Sequence, residues 1–271
     1  MATSSNIVKK TAKSALKGNY LKSVMLSAEF VFAALIVYIA LALLSFVFSE
    51  WAVNILLILF SLFIMAPAAL GLIRAFWRIM WDSEDKAEII FYYFSSKELY
   101  KKALKLILNL AFKFLWIGLL LLIPSIITDT LSSVKVYDLF GLSAPAFASN
   151  LWVLSAFLRA SAFIILIAIM LKYYLAPFLF VADEDMDVME AIHKSTVLTR
   201  ATAVDFLILV LSFLGWILLS VLVMPLIFTL PYMVMSYVVH SRFAVANYNK
   251  VVKEFKKEGT DNAFSADSFK I

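Results

Sequence analysis

Runs of about twenty apolar residues recur along this chain and constrain it more than any single motif does. A helix needs about 20 residues to cross roughly 30 Å of hydrocarbon. The 271 residues are 63% hydrophobic and 16% charged, and the mean hydropathy is +0.93. A soluble domain would be near half apolar and about a quarter charged. The expected fold class is all-α: a polytopic transmembrane bundle of about six spans with cytoplasmic interfacial amphipathic helices.

The six spans fit best near Leu21–Phe48, Trp51–Ile73, Leu104–Thr128, Ala156–Ala176, Val204–Val223 and Leu226–Ala246. Their flanks carry the orientation signal. Lys9, Lys10, Lys13 and Lys17 precede the first span. Arg74, Arg78, Lys86, Lys97, Lys101 and Lys102 lie between the second and third. Lys172, Lys194 and Arg200 surround the next such connection, and Lys250, Lys253, Lys256 and Lys257 follow the last span. The opposite connections hold only Lys135, in the apolar loop Asp129–Asn150. An excess of Lys and Arg marks the cytoplasmic side, so both termini are expected in the cytoplasm of a multi-pass cell-membrane protein. The weakest boundary is at Pro225: a re-entrant unit there would move the C-terminus outside.

Residues 1–20 read as a basic interfacial helix. The four lysines occupy one sector, and Ile7, Val8, Ala12 and Ala15 another. Anionic lipid headgroups at the cytoplasmic face are the expected partners of those lysines. Residues 21–247 form a single transmembrane domain. Residues 248–271 mix charges with Gly259 and Ser265, lack a core, and read as a mostly disordered cytoplasmic tail.

The best-marked hairpin is Lys172–Trp216. An apolar run ends at Lys172-Tyr173-Tyr174, and a proline, an acidic knot and a short amphipathic helix precede the next apolar run. A shift of one hundred residues lays Glu84-Asp85 on Glu184-Asp185, Ala103 on Ala203 and Trp116 on Trp216. Asp85-x-x-Glu88 and Asp187-x-x-Glu190 share the capping-box arrangement, and Ser95-x-x-Glu98 is a third. Pro67 and Pro177 sit in the descending spans, Pro124 and Pro225 near the ends of the ascending ones. Together these read as a parallel hairpin repeat, 67–124 and 177–225.

Lys105, Asn109 and Lys113 recur every four residues and form one polar stripe on the third span, while Glu29 enters the first span from the same side. Two readings stand. Glu29, Asn109 and Lys113 form a polar path, or Lys113 snorkels to the headgroups. Insertion does not decide between them. A central lysine costs about 2.5–3.5 kcal/mol, and each Leu, Ile, Phe or Val returns about 0.3–0.6. Pro67 and Gly71 lie in a small-residue run suited to close helix packing and a kink, with Pro177 as the counterpart. Arg159 reads as an outer-interface anchor near Trp152, and His240 and Arg242 as anchors or packing residues.

Glu84, Asp85, Asp183, Asp185, Asp187, Glu190 and His193 gather in two cytoplasmic segments, Glu84–Tyr100 and Asp183–Arg200, and make a candidate partner surface. Hard oxygen ligands could hold magnesium or calcium. The spacing lacks the EF-hand pattern, however, and Asp187 and Glu190 are placed as helix caps, so no metal is expected.

Several chemistries are excluded outright. There is no cysteine, and His193 and His240 are the only histidines, which rules out thiolate sites and multi-histidine metal centres. His-Glu-x-x-His, Gly-x-Ser-x-Gly and the phosphate-binding loops are absent. The net charge of +5 lies at the membrane flanks, which is a topology signal rather than a nucleic-acid footprint. No cofactor is implied.

The chain resembles a bacterial integral-membrane family known only as a domain of unknown function, number nine-seven-five in that series. The resemblance lies in Ala15-Leu16-Lys17-Gly18-Asn19-Tyr20, in Pro67-x-x-Leu70-Gly71-x-x-Arg74, and in Tyr174-x-Ala176-Pro177 through Asp183 to Glu190-Ala191-Ile192-x-x-Ser195. It continues in Phe213-Leu214-Gly215-Trp216-Ile217-Leu218 and Pro231-Tyr232. These stretches span Ala12 to about Tyr248. The Asp129–Asn150 loop, longer than usual, and the tail depart from the pattern. The resemblance implies a cell-membrane protein without established activity or site residues. Because organised polar content sits at the cytoplasmic face while the spans hold few charges, the leading expectation is a non-enzymatic accessory or scaffold subunit that presents its cytoplasmic helices to a membrane or cytoplasmic protein. The alternative is a transporter or export protein for a small or lipophilic solute. A third reading is an enzyme acting on lipid headgroups through the acidic knot.

Overall fold

A computed structural model describes residues 5–80, 87–133, 137, 150–183, 185–219 and 223–257, with side chains from 90 onward in the second segment and over 224–249 in the last. Among these residues every regular element is helical. In chain order they are α1 (Ser5–Leu16), α2 (Tyr20–Leu44), α3 (Glu50–Phe60), a π-helical turn (Ser61–Met65), α4 (Ala66–Ile79) and a 3₁₀ helix (Ala87–Phe94). There follow α5 (Lys97–Ser132), α6 (Leu151–Met170), α7 (Ala176–Ala182), α8 (Val188–Leu211), α9 (Leu214–Leu219) and α10 (Val223–Lys257).

Among the described residues, five helical stretches are long and apolar enough to cross a bilayer: Tyr20–Leu44, Glu50–Ile79, Lys97–Ser132, Leu151–Met170 and Met224–Asn249. The sixth expected span, Val204–Val223, is not among them. Its first part is the end of α8, which runs unbroken from the cap at Asp187 and therefore carries charge in its first turns. The helix breaks at Ser212–Phe213 and α9 follows, while residues 220–222 lie outside the described set. The short amphipathic helix expected over Asp183–Arg200 is thus the first half of α8. It does not lie free on a membrane surface, since Val188, Ala191, Ile192, Ser195, Leu198 and Thr199 are buried.

The chain divides into two compact units, 1–108 with 173–271, and 109–172. In the first, α10 packs on α1, α2, α4 and α8, and α4 packs on the 3₁₀ helix and α7. Its core joins Val8, Ala12, Leu16, Leu26, Phe76, Leu209, Phe213, Met235 and Val238. The second unit comprises α5 from Asn109 onward and α6. Phe112, Leu115, Trp116, Phe157, Phe163 and Ile164 are exposed there, as lipid-facing side chains are when tails are as apolar as leucine.

Two expectations change at the ends. The apolar sector of α1 was expected to dip into lipid. Val8 and Ala12 are instead fully buried and Leu16 is 3% exposed, all within the protein core. An amphipathic wheel has the same form whether its apolar face meets lipid or protein. Gly18, at φ +93°, then turns the chain from α1 into α2, a backbone state that costs glycine least. At the other end, α10 continues helical to Lys257, past the tail boundary expected at 248, and residues 258–271 lie outside the described set.

Because the chain has no native cysteine, single reporters test the placement of α1 directly. In purified protein, Ser14→Cys on the exposed face should react readily with a maleimide, whereas Ala12→Cys should be protected until denaturant is added. Equal reactivity at both positions would place α1 off the bundle.

Candidate functional site

The best-organised polar surface is the loop between α7 and α8. Asp187 takes extended backbone angles at the N-cap, and its carboxylate accepts from the Met189 N–H at 3.0 Å. That bond satisfies one of the orphan amides of the first turn. It also holds the Asp187 carboxyl below its ordinary range, with a smaller contribution from Lys105, whose ammonium stands 3.4 Å away. Asp183 accepts from the Asp185 N–H at 3.1 Å, forming an Asx turn. Glu190 does not reach back to complete a capping box but pairs with Lys194 one turn on. Asp183, Asp185, Asp187 and His193 are exposed, whereas Met186, Val188, Ala191 and Ile192 beneath them are buried. Beside Asp183 a cavity of about 360 Å³ is lined by Trp77, Phe178, Met186, Arg242 and Asn249. The other half of the expected surface, Glu84 and Asp85, lies outside the described residues. Of the segment Glu84–Tyr100, the described part is a 3₁₀ helix and the start of α5 rather than one amphipathic helix. There Ser96, not Ser95, caps the helix by accepting from the Leu99 N–H. Among the described residues no three His, Asp or Glu side chains are placed to share a metal ion.

The two prolines each open a helix, and each leaves a carbonyl without its usual donor. For Pro67 the residue four back is Phe63. Its carbonyl accepts from the Tyr100 hydroxyl at 3.0 Å, within the π-turned stretch. For Pro177 it is Tyr173, whose carbonyl accepts from the Ala176 N–H at 3.1 Å. Pro67 and Gly71 are buried in α4, as small-residue packing requires. Arg74, read from sequence as a flanking positive charge, is 3% exposed, with its guanidinium 3.5 Å from the centre of the Tyr92 ring. The 3₁₀ helix supplies that ring and also stacks Tyr93 on Phe180 of α7, at 5.8 Å. Cation–π and aromatic contacts therefore join the two proline-started helices.

Sequence reasoning missed a buried polar cluster. The Tyr174 hydroxyl lies 3.1 Å from Thr202 Oγ1 and 3.3 Å from His240 Nδ1, and its ring stacks on Phe206 at 3.8 Å. Thr202 donates to the Leu198 carbonyl, so it is free to accept from Tyr174. Burial, reinforced by the nearby Asp205 charge and opposed by the Thr202 hydrogen bond, pushes the Tyr174 phenol far up, keeping it a donor. His240 is 2% exposed and so packs inside the bundle rather than anchoring at its edge. Members 28 and 66 residues apart leave no local signal for such a network.

The candidate polar path is divided between the units. Glu29 is exposed on α2 in the first; Asn109 and Lys113 are half-buried on α5 in the second. Within the second unit Arg159 pairs with Asp129 at 3.2 Å and donates to Ser155 at 2.9 Å, and Ser155 donates to Asp129 as well. Arg159 is thus tied to α5, not only an interface anchor.

Removing the Asp187 carboxylate should cost about 1 kcal/mol of stability, as N-cap losses do. A thermal melt of Asp187→Ala against the parent at neutral pH measures it. Because folding lowers this acid's pKa, the difference should be full at neutral pH and close as pH falls through the folded value. Tyr100→Phe should cost about 1–3 kcal/mol by stranding the Phe63 carbonyl. An unchanged melt would show that the carbonyl has another donor.

No curated protein and no solved structure matches the chain. A family model matches residues 1–245, and the four stretches quoted above all fall in the first unit. The chain belongs to the family described as "Protein of unknown function (DUF975)".

Proposed function

We propose that this is a non-enzymatic accessory or scaffold subunit of a bacterial cell membrane, with its α7–α8 loop presented to a protein partner on the cytoplasmic side. The observation that carries this reading is the contrast within the loop. Asp183, Asp185, Asp187 and His193 point outward from a base of buried Met186, Val188, Ala191 and Ile192, fixed by the Asp187 cap and the Asp183 turn. A pre-ordered surface loses less entropy on binding than a mobile loop would. Its charge suits a basic partner segment, and the cavity beside Asp183 offers room for one anchoring side chain. Lys9, Lys10, Lys13 and Lys17 before the first span and Arg74, Arg78, Lys97, Lys101 and Lys102 between the second and third orient those flanks, and with them this loop after the fourth span, toward the cytoplasm. The five described spans put the C-terminus on the opposite side.

Extraction of the protein from its native membrane with a mild polymer, followed by quantitative mass spectrometry, should recover a stoichiometric partner. Asp183→Asn/Asp185→Asn/Glu190→Gln/His193→Ala, which leaves the Asp187 cap intact, should reduce that recovery at least ~10-fold without changing abundance, since the few groups that dominate an interface each cost about 2 kcal/mol or more when removed. Undiminished recovery would sink the reading.

Solute export is the second reading, favoured by one observation. Asn109 and Lys113 are half-buried, while Phe112, Leu115 and Trp116 beside them, like Lys105 one turn earlier in the stripe, are exposed, so these two polar side chains take the less exposed face of α5. Under this reading Lys113→Leu abolishes flux and leaves the protein's level unchanged.

A further inference from the structure

A wide cavity in the first unit lies where α1 meets α9 and α10. It measures about 950 Å³, and its lining falls into two chemical zones. Lys10, Lys13 and Lys17 stand on one side, and Leu16, Phe213, Trp216, Phe228 and Met233 form much of the rest. Among the described lining residues none is acidic. We propose that this groove binds one anionic phospholipid of the surrounding membrane, its phosphate on the three lysines and an acyl chain along the aromatic wall.

Helical spacing makes the cationic zone. Positions three and four residues apart share a face, so Lys10, Lys13 and Lys17 gather on one side of α1 and its end, all exposed. Among the described residues none of them pairs with a carboxylate. Lys9 shows the contrast. Its ammonium sits 4.5 Å from the Phe213 ring centre and 3.4 Å from the Ser212 carbonyl, so its charge already serves to hold the helix break. The buried row Val8, Ala12 and Leu16 fixes the rotation of α1 and so aims the other three lysines at the cavity.

The apolar zone is open to the lipid side. Trp216 and Phe228 line it yet are 49% and 54% exposed, and Leu214, Leu218 and Met224 near them are exposed too. The Tyr20 hydroxyl donates to the Phe228 carbonyl at 3.2 Å, joining the start of α2 to α10 across the cavity's edge. A wholly apolar cleft would suit a second helix, and a wholly basic one a soluble anion. Three clustered cations at the mouth of an aromatic slot match a molecule that is anionic at one end and hydrocarbon at the other. Its volume lies toward the upper end of the range for small-molecule sites, about 300–1,000 Å³. The site shares no residue with the acidic loop, so it stands or falls independently of the proposed function.

Native mass spectrometry of the full chain, titrated in detergent with dioleoylphosphatidylglycerol or dioleoylphosphatidylcholine, tests the site. The parent should hold one phosphatidylglycerol in preference to phosphatidylcholine. Lys10→Gln/Lys13→Gln/Lys17→Gln should weaken that binding about 10-fold or more, given the contribution of each surface cation toward anionic lipid. Lys10→Arg/Lys13→Arg/Lys17→Arg should retain it, and Thr229→Trp, which fills the cavity with every lysine in place, should lose it. Excess inorganic phosphate should leave the lipid bound. Equal retention of both lipids, undiminished binding to the Gln variant or to Thr229→Trp, or displacement by phosphate alone would each overturn the proposal. Should the Gln variant fail to fold, the Arg and Trp variants decide it.

Discussion

Close packing around α10 is the interaction on which the first unit depends. In lipid, helices gain little from burying apolar surface against each other, because the tails are equally apolar; association rests on close contact and interhelical polar groups. The most apolar part of α10 is 56% buried, against 22% and 28% for the stretches containing α2 and α4. It turns Met235, Ser236, Val238, Val239, His240 and Ser241 inward, and Ser236 and Ser241 return their hydroxyl protons to their own helix carbonyls. The inward face of α8 uses Thr199 and Thr202 in the same manner, each bonded to a carbonyl one turn back. Side chains that satisfy themselves locally let the helices approach without stranding polar atoms.

That arrangement explains why polar chemistry concentrates in one unit. With α10 as a base, α4, the 3₁₀ helix and α7 form a layer joined by Arg74 on Tyr92 and Tyr93 on Phe180. The carboxylate loop stands on the start of α8. The most apolar stretches of α5 and α6 are only 6% and 11% buried. Their polar groups either take the less exposed face, as Asn109 and Lys113 do, or pair with each other, as Asp129 and Arg159 do.

Much of this was legible from local pattern. Apolar run length located five spans, and the all-helical class followed. Pro67 and Pro177 marked kinks in the descending spans, and each stands in the first turn of a helix; Asp187 marked a cap because its carboxylate suits an orphan amide. What escaped was whatever depends on partners distant in the chain. The wheel of α1 gave its apolar side but not whether Val8 and Ala12 meet lipid or α10. Hydropathy separated Asp183–Arg200 from Val204 onward, although the backbone carries both on one helix to Leu211. Tyr174, Thr202 and His240 each looked ordinary alone, and only the fold brings their polar atoms within 3.3 Å. Arg74 counted as a flanking charge until packing placed it under cover.

The burial of α10 admits a direct test. Nitroxide labels placed one at a time over residues 224–249 of the full chain in liposomes report collision with oxygen, which concentrates in lipid, and with a water-soluble nickel chelate. Labels at Met235, Val238 and Val239 should be shielded from both quenchers, whereas those at Met224 and Phe228, which are 72% and 54% exposed, should collide freely with oxygen. Equal oxygen access at Val238 and Phe228 would mean that lipid surrounds α10, which would contradict this account of the bundle.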